Sequence, residues 1–107
     1  MNPDAIRLEL AQVGRELSKA ANALYQLEVD AERAELAAQA ELDKAYLLAE
    51  GGVEDRKAVA RGRALAVRDV AVVARASYNR AKMKAKHLEL EQMRLMATLK
   101  SVQAEGA

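Results

Sequence analysis

The chain has 107 residues, a formal net charge of +1, and no Cys, Trp or Phe. Its 24 Ala and 14 Leu stand against one Ile and three Tyr. This composition specifies long helices or coiled coils and excludes a disulfide scaffold, a Cys-based metal site and a thiol nucleophile. A β fold would need β-branched and aromatic residues at alternating positions, and an enclosed catalytic pocket would need bulkier walls.

Met1-Asn2-Pro3-Asp4 lacks the basic-then-apolar pattern of a signal peptide. No run approaches the roughly 18 apolar residues of a spanning helix. A cytoplasmic location with no membrane partner is the expectation. Asn2 is a good N-cap, Pro3 suits the first helical position, and Asp4 lies at the positive end of the helix dipole. These signals start a first helix at about residue 3. Gly51-Gly52 ends it, so it covers about 3–50.

The first helix carries a seam with alternating four- and three-residue spacing: Ile6, Leu10, Val13, Leu17, Ala20, Leu24, Leu27, Ala31, Ala34, Ala38, Glu41, Ala45, Leu48. Only Glu41 breaks its apolar character. Such a repeat marks a coiled coil. The seam is bulky up to Leu27 and nearly all Ala beyond it. Tyr25 is assigned to the core.

Glu54 and Asp55 suit the first turn of a second helix over about 53–104. Gly14 and Gly62 fall inside the helices, and Gly62 is read as marking a close helix contact. Ala58, Ala60, Ala64, Ala66, Ala71, Ala74 and Ala76 make the start of the second helix Ala-rich. The expected fold is all-α: one domain over 1–107, a long antiparallel helical hairpin that pairs residue i with about residue 103−i.

Toward the C-terminus, Leu88, Leu95, Leu99 and Val102 form one stripe, while Leu90, Met93 and Met96 lie on other sides. A helix apolar on several sides needs several neighbours, and two helices alone bury little surface. A helical homo-oligomer is therefore expected. Its interface would combine Ile6, Leu10, Val13, Leu17 and Leu24 with Leu88, Leu90, Met93, Leu95, Met96, Leu99 and Val102.

The small net charge conceals an asymmetry: residues 1–52 sum to −5 and residues 53–107 to +6. Segment 56–86 holds ten cations and one acid, Asp69. Two readings of Arg61, Arg63, Arg68 and Arg75 stand. They either pair across the hairpin with the acids of 28–50, each exposed pair contributing about 0–1 kcal/mol, or they present a basic surface to a polyanion. For Arg80, Lys82, Lys84 and Lys86 the facing stretch is 17–23, where Lys19 is the only charge, and the polyanion reading is favoured. Tyr46 and Tyr78 either pack within the hairpin or stack on unpaired bases.

Nothing in the sequence supports catalysis, a metal site or a cofactor. His87 is the only histidine. Ser18, Ser77 and Ser101 have no His within plausible reach. Gly51-Gly52 lacks the spacing of a phosphate loop.

The stretch Lys44-Ala45-Tyr46-Leu47-Leu48-Ala49-Glu50-Gly51-Gly52-Val53-Glu54-Asp55-Arg56-Lys57-Ala58, with Tyr78 and Leu99-Lys100-Ser101 further on, resembles the centre of small phage-encoded UvsY-like recombination mediators. The resemblance spans about residues 40–103. It implies a non-catalytic helical oligomer that binds single-stranded DNA. It also implies a role in helping a RecA-type recombinase onto strands covered by a single-strand-binding protein. Lys44, Tyr46, Arg56 and Lys57 are the contacts it implies. The charge distribution adds Arg61, Arg63, Arg80, Lys82, Lys84 and Lys86. The alternative expectation is a coiled-coil assembly module or host-protein adaptor with no nucleic-acid role.

Overall fold

The structure, a computed structural model, describes residues 2–106. Two helices account for nearly all of them, α1 (Pro3–Leu48) and α2 (Val53–Gly106), and there is no strand among the described residues. The start of α1 follows its capping signals. The Asn2 side-chain oxygen accepts the Asp4 amide at 2.9 Å, which satisfies one of the otherwise unpaired first-turn donors.

α1 stops at Leu48, two residues before the expected end, and α2 runs to Gly106 rather than about 104. Between them Gly51 takes φ +101°, a conformation that L residues rarely adopt and glycine enters freely. Gly52 then opens α2, its carbonyl accepting the Arg56 amide at 2.9 Å.

The helices pack as two compact units. In the terminal unit, residues 2–24 of α1 meet residues 80–106 of α2. Ile6, Val13 and Leu95 are its buried cluster, flanked by Leu10, Leu17, Leu88, Leu99 and Val102. Ile6 and Leu95 are the largest fully buried side chains among the described residues. Much of the set expected to join copies together is thus packed inside the hairpin, while Leu90, Met93 and Met96 stay exposed.

The turn-side unit, Tyr25–Asn79, is built differently. Its buried residues are all alanines: Ala31, Ala38, Ala45, Ala49, Ala60, Ala64 and Ala71. Small seam residues bring two helix backbones close together, because interaxial distance follows side-chain size. The same unit exposes Leu36, Leu47, Leu65, Val72 and Val73.

Four local expectations are corrected. Leu48 is 64% exposed and Ala49 is buried in its place, because a strict seven-residue repeat drifts around a 3.6-residue helix. Tyr25 is 72% exposed rather than core. A Cβ on Gly62 would meet nothing within 4 Å, so Gly62 marks no close contact within the chain. Ala58, Ala66 and Ala76 face outward, while Val67 and Ala85 take inward positions on α2.

Two substitutions at the turn and one in the terminal seam test this packing. Gly51→Ala should cost about 1–3 kcal/mol through backbone strain, whereas Gly52→Ala, with open space around its Cβ, should be close to neutral. Leu95→Ala should cost about 2–5 kcal/mol. Denaturant titrations followed by circular dichroism check all three.

Candidate nucleic-acid interface

The basic residues of α2 divide by the face they occupy. Residues seven apart lie two turns apart on nearly the same side of a helix. Arg61, Arg68 and Arg75 therefore share one flank of the turn-side unit. That flank borders a groove of about 830 Å3 between the helices. Ala38, Leu42, Ala60 and Ala71 line it; Glu35 and Asp43 reach it from α1, and Lys57, Arg61, Arg68 and Arg75 from α2.

Arg75 is the member of this row that crosses to α1. Its Nε donates to Glu35 Oε2 at 3.1 Å, and its Nη2 pairs with Glu35 Oε1. Simple antiparallel counting sets Arg75 opposite residue 28, one heptad from its actual partner. The offset follows from side-chain direction, because Cβ bonds tilt toward the N-terminus of their own helix. On antiparallel helices Arg75 therefore leans toward the turn and Glu35 away from it. The two meet diagonally. The hydrogen bond from Arg75 holds the Glu35 carboxyl below its ordinary range and raises the guanidinium above its own. The Arg75 Cζ also lies 5.4 Å from the centroid of the Tyr78 ring.

Arg56 closes the turn in a similar way. Its Cζ lies 4.7 Å from the Tyr46 ring centroid, and its Nη2 donates to the Tyr46 carbonyl at 3.3 Å. Arg56 Nε is buried without a hydrogen-bond partner. Both tyrosines considered for base stacking thus have an arginine over the ring, a contribution of about 0.5–1 kcal/mol at exposed sites. This clasp between Tyr46 and Arg56 is a contact that sequence reasoning did not find, since ten residues of separation across a turn carry no periodic signal.

Intramolecular ion pairs engage Lys57 and Arg75 of the basic segment. Arg75 with Glu35 is an ion pair that crosses between the helices. Lys57 pairs locally with Glu54 at 3.7 Å. None of the ion pairs among the described residues uses Arg61, Arg63, Arg68, Lys82, Lys84 or Lys86, all of which are exposed. The acids are partly engaged along their own helix, Asp30 by Gln26 and Asp43 by Gln39.

Arg80, Lys82, Lys84 and Lys86 do not form one stripe. Arg80 and Lys84 share one side of α2 and Lys82 and Lys86 another, as four-residue spacing dictates. Lys84 borders a smaller groove of about 370 Å3 with Glu16, Lys19 and Leu88. Lys44 is exposed on α1. Among the described residues no three His, Cys, Asp or Glu side chains converge as a metal site would need, and no helix is long and apolar enough to cross a membrane.

No protein-family model matches the chain, and neither a curated protein nor a solved structure matches it.

The Glu35–Arg75 pair has a defined pH signature. A carboxyl whose folded pKa is depressed contributes stability above its unfolded pKa, and that contribution disappears as pH falls through the folded value. Acidification below the usual carboxylate range should therefore weaken the turn-side unit. In an NMR titration, Glu35 should ionise at lower pH than an ordinary Glu, and Arg75→Ala should return it to the ordinary range.

Proposed function

We propose that this protein is a non-catalytic recombination mediator of phage type, acting in the host cytoplasm as a homo-oligomer that binds single-stranded DNA through exposed cations of α2. The carrying observation is the segment 56–86, with ten cations and one acid, in which Lys82, Lys84 and Lys86 are exposed and enter none of the ion pairs among the described residues. Phosphates neutralised by such a surface release condensed counterions, which drives binding without sequence readout. The turn-region resemblance to UvsY-like mediators supports the same reading and adds a RecA-type recombinase and a single-strand-binding protein as partners. No cofactor takes part in it.

The geometry shifts the weight of this reading along the chain. Tyr46 and Arg56 hold the turn together, so the DNA contacts rest on Arg63, Arg80, Lys82, Lys84 and Lys86 more than on the clasp. Lys44, Lys57 and Arg61 complete the set. The alternative of an assembly or adaptor module draws on a different observation, the exposed Met83, Leu90, Met93 and Met96 of the terminal unit.

A fluorescence-anisotropy titration with a labelled oligonucleotide decides between them. Binding should be clear at low salt and fall steeply as salt rises. Lys82→Glu with Lys84→Glu should weaken it roughly tenfold or more. The salt slope should drop by about 0.7 for each phosphate that is no longer neutralised, with helicity unchanged by circular dichroism. No binding at low salt would falsify the nucleic-acid reading and leave the adaptor.

A further inference from the structure

We propose that the groove of the turn-side unit seats a second copy of this chain, stacked so that each α1 lies along the other's α2. The inference rests on the self-assembly part of the proposed function and is independent of DNA binding.

The first argument is what this unit leaves uncovered. Its buried side chains are alanines alone, yet Leu65 and Val72, two turns apart on the outer side of α2, are 58% and 67% exposed. Val72 also borders the groove. Large apolar side chains left exposed beside a groove are the kind of surface that a partner covers.

The second argument is charge. The groove is sorted by sign: its acids come from α1 and its bases from α2. Residues 28–50 carry seven acids and two bases, for a net −5, and residues 56–75 carry six bases and one acid, for a net +5. Arg75 is the cation of that row that meets an acid across the hairpin, so most of this complementarity is unused within one chain. A surface with equal and opposite halves is complementary to itself.

Symmetry then selects the arrangement. A two-fold axis running across the helices would stack α1 on α1, acid on acid. A two-fold axis parallel to the helices places each α1 on the neighbour's α2, acid on base, and makes an isologous contact. Opposed charge of this kind fixes register and suppresses the wrong pairing. The alanine floor of the groove lets the helices approach closely, and the neighbour's α1 covers Leu65 and Val72. In this arrangement both turns lie at the same end.

Size-exclusion chromatography with light scattering, run without nucleic acid, tests the proposal. The wild-type chain should exceed its 11.6 kDa monomer mass, and the assembly should weaken as salt rises. Arg61→Glu/Arg68→Glu and Glu35→Lys/Asp43→Lys should each self-associate roughly tenfold or more weakly, since each sets like charges face to face. Mixed together they should assemble again, because each variant then meets its opposite. Restoration on mixing separates an intermolecular contact from damage to the hairpin, which mixing leaves unrepaired. The absence of Cys permits one further arm: a single spin label at Gly52→Cys should report a short distance between copies. A monomeric wild type, two variants that keep the wild-type mass, a folded pair that stays monomeric on mixing, or labels separated by about the length of a helix would each overturn the proposal. DNA binding through Lys82, Lys84 and Lys86 would be untouched by any of them.

Discussion

An alanine side chain ends at Cβ, so helices that meet through alanines bring their backbones together and shield little beside them. The turn-side unit depends on this constraint. Ala31, Ala38, Ala45, Ala60, Ala64 and Ala71 close the seam, and the charged and apolar groups on either flank remain at the surface. Its cross-helix polar contacts include the Arg75–Glu35 fork and the Arg56–Tyr46 clasp. These pin the two helices at two places without filling the groove between them. The terminal unit, with Ile6, Val13 and Leu95, follows the opposite rule: bulky side chains fill the seam and do the holding.

This division of labour connects packing to function. A seam of small residues leaves room for long arginines along its edge, and α2 supplies them at seven-residue intervals. Their charge is mostly uncommitted within the chain, so it is available to a neighbour's acids or to phosphates. In the proposed scheme the two uses are centred on different stretches and overlap at Lys57 and Arg61. The row Arg61, Arg68 and Arg75 borders a groove that also holds Glu35 and Asp43, where a polyanion would meet carboxylates. Lys82 and Lys86 belong to the terminal unit and neither line that groove nor enter an ion pair with its acids. Self-assembly centred on one stretch and DNA contact centred on the other would let one helix serve both roles.

Much of the fold was legible because it follows from local rules. The N-cap at Asn2, the glycine turn and the seam of α1 each rest on a few neighbouring residues, and the structure shows each of them. Leu48 was misplaced because the seven-residue spacing was carried too far, and Tyr25 because an aromatic ring was taken as a sign of burial. Over several heptads the buried stripe drifts, and a two-helix structure has only one side to offer. The Arg75–Glu35 pair was foreseeable as acid against base but not as that particular pair. Its diagonal reach depends on side-chain tilt in three dimensions.

The sequence by itself determined that this chain is helical, where its helices begin and turn, and that its charge is split between two halves. Those properties depend on composition, capping and spacing of three to seven residues, all of which are local. Only the tertiary structure decided which cations are engaged and which flank the groove belongs to. It also showed that the bulky terminal seam is taken up within the hairpin while the alanine-lined unit keeps its apolar outer side exposed. Those outcomes depend on how close the two backbones approach. That distance is set jointly by facing side chains far apart in the chain, and no single stretch of sequence contains it.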